Sequence, residues 1–386
     1  MRRFLQTERN LWLAYLLTAL AVSVQSLWQG VNIHGYTAFE NYVIFKRSFL
    51  HLTQGLNPYA AYPAEQWDLY KYSPAFALAM APFAGLPNWL GLPLWNLLNA
   101  LPMLGALLRV PLLEPAKRCY LAWFVLPELV ISMQNSQSNG LTAALILWAF
   151  VAFENRRPGR AGGWAAAGGY LKIFGIFAAA PALVYPGRRP FALALAAWCI
   201  ALALAPLAVL TPGQLWDVYH WWGQLLQEDH SHSVGLSVQG WLQTWLGWAA
   251  PKLGITLSGL ALLGASVWAV KRQPTPVNRL LLWAGLLLWV VIFNHKAESP
   301  TFVIALCGAG LWYWSIPRPE RWETALFWIA FIMASVTPTD IFPRSLREYW
   351  VQPYVLKAVP CILIWIILTV RLVKTLFDKQ QLTSDE

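Results

Sequence analysis

Long apolar runs separated by short polar stretches set the pattern of this chain. The runs fall near 11–29, 74–108, 119–133, 139–153, 163–185, 191–210, 253–270, 280–293, 301–316, 322–336 and 354–375. Several are shorter than the roughly 20 residues that a perpendicular transmembrane helix needs. Pro82, Pro87 and Pro93 interrupt the 74–108 run, which is therefore either one crossing preceded by a half-membrane helix or two or three short passes. The pattern predicts an all-α polytopic membrane protein of about 10–12 hydrophobic helices, one transmembrane domain spanning the chain. Two polar stretches are long. The first, within residues 30–73, is dense in aromatic and ionisable side chains from His34 onward; the second, 212–251, is rich in tryptophan.

Composition agrees. Hydrophobic residues make up 58% and charged residues 12% of the 386, against about one quarter charged in a soluble domain. The net charge of +10 suggests nucleic acid only until its distribution is read: Lys and Arg sit in short clusters between apolar runs, as cytoplasmic loops do. Cys119, Cys199, Cys307 and Cys361 have no paired spacing, so neither a disulfide framework nor a zinc site is expected. Three arginines precede the first run with no small-residue cleavage site after it, so the first helix is expected to be retained.

Charge also constrains topology. If 74–108 makes one net crossing and 163–185 is a re-entrant hairpin, then the termini and the clusters RVPLLEPAKR, ENRRPGR, PGRRP, KRQPTPVNR and IPRPERWE all face the cytoplasm. Simple alternation would instead put ENRRPGR outside. The hairpin arrangement is preferred, with its turn near Gly168, Gly169 and Lys172. It sends all six histidines and the carboxylates Glu40, Glu65, Asp68, Glu298, Asp340 and Glu348 to the outer face, which marks that face as the functional one. A phosphate-binding loop, a dinucleotide glycine pattern and an internal repeat are all absent, which argues against an energy-coupled transporter.

Four stretches carry a resemblance. Residues 41–59 (NYVIFKRSFLHLTQGLNPY) form an aromatic helix ending in a Gly-x-Asn-Pro-Tyr turn, and Tyr70-Lys71-Tyr72-Ser73-Pro74 is an aromatic-proline lead into the next helix. Ser136-Gln137-Ser138-Asn139-Gly140 is a polar turn, and Arg157 to Pro181 is a basic turn followed by a glycine-alanine helix with a central Lys172. In this order they resemble glycosyltransferase family 87, integral-membrane (GT-C) enzymes that take mannose from polyprenyl-phosphate mannose. The likeness is good over residues 30–195 and general beyond. It departs from the family where the first loop would carry a catalytic aspartate: Asn41 stands there, with Glu40 before it.

The resemblance implies inverting sugar transfer from a polyprenyl-phosphate donor to a lipid-linked or cell-envelope glycan acceptor. The setting it implies is a bacterial cytoplasmic membrane, with the active site outward, the N-terminus cytoplasmic and no cofactor or metal. Such chemistry needs one carboxylate as base and cationic or hydrogen-bonding groups for the departing phosphate. Glu40 is the first candidate base, although a carboxylate opening a helix also serves its dipole. Asp68 is the second; with Glu65 three residues before it on a shared helical face it also reads as a surface charge pair with Lys71. Glu128, inside an apolar run, reads as structural. For the phosphate the candidates are Lys172, an intramembrane cation, and the Arg344/Arg347 pair near the last run, with Lys296 and His295 behind them. Asn41, Tyr59, Tyr72, Gln137, Asn139, His230 and His232 are candidates to position substrate. Asp229-His230-Ser231-His232 lacks a third spaced metal ligand, and the tryptophans of 212–251 read as an interfacial belt more readily than as sugar platforms. The alternative from another class is a lipid-linked-glycan transporter or flippase that makes no bond; it would need a polar pathway across the bilayer, whereas ionisable residues here gather at one face.

Overall fold

The computed structural model describes residues 2–228 and 234–383. The protein is 74% helical, and among the described residues the β-structure is a single antiparallel bridge, Val31 to Thr37. Helix is the expected outcome for apolar runs, because a backbone in hydrocarbon must satisfy its own hydrogen bonds. In chain order the main helices are α1 (Glu8–Trp28), α2 (Glu40–Thr53), α3 (Asn88–Leu107), α4 (Pro115–Gln134), α5 (Asn139–Glu154), α6 (Pro158–Leu171) and α7 (Arg188–Leu204). They continue as α8 (Pro212–Glu228), α9 (Val238–Leu246), α10 (Lys252–Arg272), α11 (Pro276–Ile292), α12 (Phe302–Ser315), α13 (Arg321–Phe331) and α14 (Val359–Thr383). Among the described residues, five spans are long and apolar enough to cross a membrane: α1, α3, α7 extended to Ala208, α10 and the first part of α14. The fold is thus an all-α polytopic membrane protein.

The proline-broken run at 74–108 resolves into two short helices, Pro74–Ala79 and Ala81–Ala84, followed by α3. Proline lacks an N–H and biases its predecessor away from helix; Pro82 accordingly sits in the first turn of the second piece and Pro87 just before α3. The run therefore contains one helix long and apolar enough to cross a membrane, preceded by two short ones. The long polar stretch 212–251 is not an irregular loop but carries α8 and α9. The stretch 61–73 is not helical, so Glu65 and Asp68 share no helical face.

Residues 158–183 fold as a hairpin. Its first leg is α6 and its second a 3₁₀ segment, Ile173–Leu183; the turn is Lys172 itself, in extended conformation (φ −141°, ψ 126°). Gly168 and Gly175 face each other so closely that a Cβ on Gly175 would collide with the Gly168 carbonyl. Both ends of the hairpin return to one place. The phenol of Tyr185 donates to Glu154 Oε1 at 2.6 Å, and Phe153 stacks on Tyr185 at 4.8 Å. Arg279 closes the same end with a fork onto Glu154, Nε to Oε1 at 2.7 Å and Nη2 to Oε2 at 3.0 Å, a geometry that guanidinium and carboxylate satisfy together. Arg156, Arg157, Arg188 and Arg189 flank this end in the sequence, as the hairpin arrangement requires.

A second ion pair is buried. Glu128, on α4, accepts from Lys357 Nζ at 2.9 Å, and the same ammonium donates to Ser299 Oγ at 2.7 Å. Side-chain exposure is 0% for Glu128 and 4% for Lys357. The pair therefore ties the segment leading into α14 to α4 and to the link between α11 and α12, and Glu128 is structural as its sequence context suggests.

Two outcomes follow from this architecture. Single cysteines replacing Arg157 and Arg188 should both react with a membrane-impermeant thiol reagent from the same side of sealed vesicles; labelling from opposite sides would contradict the hairpin. Lys357→Met strands a buried carboxylate and should cost about 3–5 kcal/mol, whereas adding Glu128→Gln should recover most of the loss, read from thermal unfolding midpoints in detergent.

Candidate active site

The first long loop is built as an aromatic scaffold. Asn57 receives the backbone N–H of Tyr59 at 2.9 Å, closing the Asn-Pro turn. Tyr59 then donates to the carbonyl of Tyr72 at 3.0 Å, and Tyr70 to the carbonyl of Ser73 at 2.7 Å. Rings pack through the same residues, Tyr59 tilted against Tyr70 at 5.6 Å and Phe45 edge-on to Tyr72 at 4.8 Å. Burial pushes the phenols of Tyr59, Tyr70 and Tyr72 up from their ordinary pKa, so all three remain neutral donors near neutral pH. For Tyr72 the carboxylates of Glu298 and Asp68 act in the same direction while the Ser138 hydroxyl opposes them. Tyr72 thus lies within electrostatic reach of both carboxylates.

The scaffold borders a cavity of about 240 Å³. Asp68 and Lys71 come from the loop, Asn41 from α2, Gln137 from the α4–α5 turn, Lys172 from the hairpin tip, and Lys296 and Glu298 from the link before α12. Asp68 is partly exposed and holds Lys71 through Oδ2 at 3.1 Å. Lys172 donates to Asn139 Oδ1 at 2.6 Å, and its ammonium lies 5.6 Å from the centroid of the Tyr72 ring and 5.9 Å from that of Phe174. Gln137 bridges, accepting from the Tyr72 hydroxyl and donating to Glu298 Oε2, each at 3.3 Å. The turn that presents Gln137 is tight: Ser136 has φ +50°, and its carbonyl accepts from Trp95 Nε1 at 2.9 Å.

Not every candidate reaches this cavity. Glu40 does not line it; the carboxylate is buried and accepts from the N–H and hydroxyl of Thr37 at 3.2 and 3.1 Å, bracing the start of α2. Tyr59 supports it from behind, and Asn139 touches it only through Lys172. Arg344 pairs with Glu348 at 2.7 Å, and Arg347 donates to the carbonyls of Pro338 and Thr339. Arg347 lines a different groove, so the pair does not join Lys172 around one cavity. Glu65 turns to His51 at 3.1 Å and Arg47 at 3.5 Å. His230 and His232 lie outside the described residues. Among the described residues no three His, Cys, Asp or Glu side chains come together as a metal site would require.

Sequence reasoning gave Glu298 no role beyond an outer carboxylate and read Lys71 as a surface partner. The signal was slight: FNHKAESP is a short polar link between two apolar runs, and its approach to the first loop is a matter of packing. Trp222, grouped with the interfacial belt, also lines the cavity.

With two carboxylates, three lysines and several amides facing one space, the cavity can take a proton from a hydroxyl and hold an anionic leaving group. No curated protein matches the sequence. The model of Glycosyltransferase family 87 matches residues 70–309. That range contains Tyr72, Gln137, Lys172 and Glu298, and begins just after Asp68. The cavity's residues and the matched region coincide over most of the site, and the chain belongs to glycosyltransferase family 87.

Proposed function

We propose that this membrane glycosyltransferase moves a sugar, mannose, from a polyprenyl-phosphate donor to a lipid-linked or cell-envelope glycan acceptor, with inversion. The site faces outward from a bacterial cytoplasmic membrane and the N-terminus is cytoplasmic. The observation that carries the reading is the meeting of Asp68 and Glu298 with Lys71, Lys172 and Lys296 around one cavity. The end of the hairpin where Glu154 holds Tyr185 and Arg279 is flanked in sequence by Arg156, Arg157, Arg188 and Arg189 and lies opposite Lys172, which supports the orientation.

Asp68 is assigned as the base. Its carboxylate, which accepts from Lys71 and from the N–H of Leu69, lines the cavity, whereas that of Glu40 is buried against Thr37 outside it. Asn41 has no basicity to contribute near neutral pH; its amide donates to the carbonyl of Asn135 at 2.9 Å and fixes the cavity wall. In the transfer, the acceptor hydroxyl gives its proton to Asp68 as its oxygen bonds to the anomeric carbon, and the bond from that carbon to the phosphate oxygen breaks. Lys172, held by Asn139, stabilises the released lipid phosphate, with Lys71 and Lys296 adding positive charge to the same space. Glu298 remains fixed by Gln137, positioned to orient sugar hydroxyls.

The base assignment is tested with purified protein, radiolabelled polyprenyl-phosphate mannose and membrane glycolipid. Asp68→Asn should lower turnover by about 100-fold or more with donor binding nearly intact, while Glu40→Gln keeps most of it. Full turnover in Asp68→Asn with loss in Glu298→Gln would transfer the role to Glu298. Lys172→Met should reduce kcat/KM for the donor by about 10- to 100-fold with the unfolding midpoint little changed; an unchanged value would remove Lys172 from the phosphate site.

A further inference from the structure

The end of the hairpin away from Lys172 gathers positive charge without a counterion. Arg156 and Arg157 precede α6, Arg160 lies in its first turn, and Arg188 and Arg189 begin α7. The two groups are far apart in sequence but meet in space. A Cβ on Gly187 would lie 3.0 Å from Pro158 Cγ, and one on Gly162 would lie 2.8 Å from the backbone nitrogen of Leu195. All five arginines are exposed, and none makes an ion pair or a side-chain hydrogen bond with a described residue. No carboxylate stands between Glu154 and Asp217 in the sequence, and Glu154 is held by Arg279 and Tyr185.

A groove of about 680 Å³ lies between α6 and α7 and begins at this patch. Arg160, Gly163, Trp164 and Ala167 line it from α6, Trp198 and Leu202 from α7, spaced as one face of each helix requires. Their order along α6 puts Arg160 at the patch and Ala167 toward Lys172; no other lining residue is ionisable. Small residues create the groove. A Cβ on Gly163 would come within 2.9 Å of Trp198 Nε1, so glycine is what lets that indole lie across α6. Trp164 is 37% and Trp198 51% exposed. Leu193 and Ile200 on α7 are exposed as well, and α7 is one of the spans apolar enough to cross a membrane, so the groove opens on a surface suited to acyl chains.

An apolar channel that ends among unpaired guanidinium groups is complementary to an anionic phospholipid, with an acyl chain along the helices and the phosphate at the arginines. A zwitterionic head would bring a cation of its own to the same patch. Such a lipid is no reactant. The 14 residues of α6 separate the patch from Lys172 by about 20 Å at the α-helical rise.

We propose that the base of the hairpin is a binding site for one anionic phospholipid of the surrounding membrane, neither donor nor acceptor. Its phosphate is shared by the arginines that start α6 and α7, and it fastens together the two helices beneath Lys172. The inference is independent of the transfer chemistry.

The test is native mass spectrometry of the purified full-length protein with dioleoyl phosphatidylglycerol or dioleoyl phosphatidylcholine at equal concentration. One phosphatidylglycerol should be retained about tenfold more strongly than phosphatidylcholine. Arg160→Gln should reduce that retention by about fivefold, and Arg160→Gln with Arg189→Gln by about twentyfold. Arg318→Gln with Arg321→Gln removes the same charge at the start of α13, which packs on α12 and α14, and should leave retention unchanged. Phosphatidylglycerol carrying a diazirine in its acyl chain should label peptides containing residues 159–167 and 198–202, and Leu202→Trp, which narrows the groove, should reduce that labelling by about fivefold or more. Equal retention of the two lipids, or equal loss in the Arg318/Arg321 variant, would reduce the patch to diffuse charge and overturn the site. Displacement of the lipid by millimolar inorganic phosphate would identify a soluble anion as the occupant, and labelling elsewhere or a dimer that excludes lipid would assign the groove otherwise; each overturns the proposal. Should Leu202→Trp fail to fold, the surface arginine variants decide alone.

Discussion

Gly168 and Gly175 approach so closely that a Cβ on Gly175 would collide with the Gly168 backbone, and the position of Lys172 depends on that contact. Helices in a membrane gain little from burying apolar surface against one another, since lipid is equally apolar; they associate through packing, and small residues permit the tightest packing. Here the small residues serve a chain reversal. With the two legs pressed together, the hairpin turns on a single extended residue and returns to the end it started from. Lys172 is thus carried to the tip, where Asn139 and the Tyr72 ring receive it. A single straight crossing would have placed it against lipid or at the far interface.

The site is then assembled from pieces that owe their positions to different causes. Tyr72 and Asp68 are set by a tyrosine scaffold whose hydroxyls cap loop carbonyls. Gln137 is set by a tight turn anchored on Trp95. Glu298 sits beside Ser299, which the Glu128–Lys357 pair fixes. Burying an ion pair is a poor source of net stability, but removing one partner is costly. Its value here is geometric, since it fastens the link between α11 and α12, which carries Glu298, against α4.

Much of this was legible in the sequence. The apolar runs and basic clusters were enough to anticipate a helical membrane protein whose 163–185 stretch doubles back on itself, because hydrophobic length and charge placement are local properties. Four short motifs pointed to family 87 and to Tyr72, Gln137 and Lys172. What the sequence by itself left undecided was which carboxylate faces the cavity and which cations share it. Glu40 looked apt by position, yet a turn of the chain at Thr37 occupies it. Arg344 and Arg347 looked like phosphate ligands, yet nearby carboxylates and carbonyls engage them. Glu298 lay more than 200 residues from the first loop and carried no local signal. Side-chain partners across such separations are set by how helices pack, and packing was decided only in three dimensions.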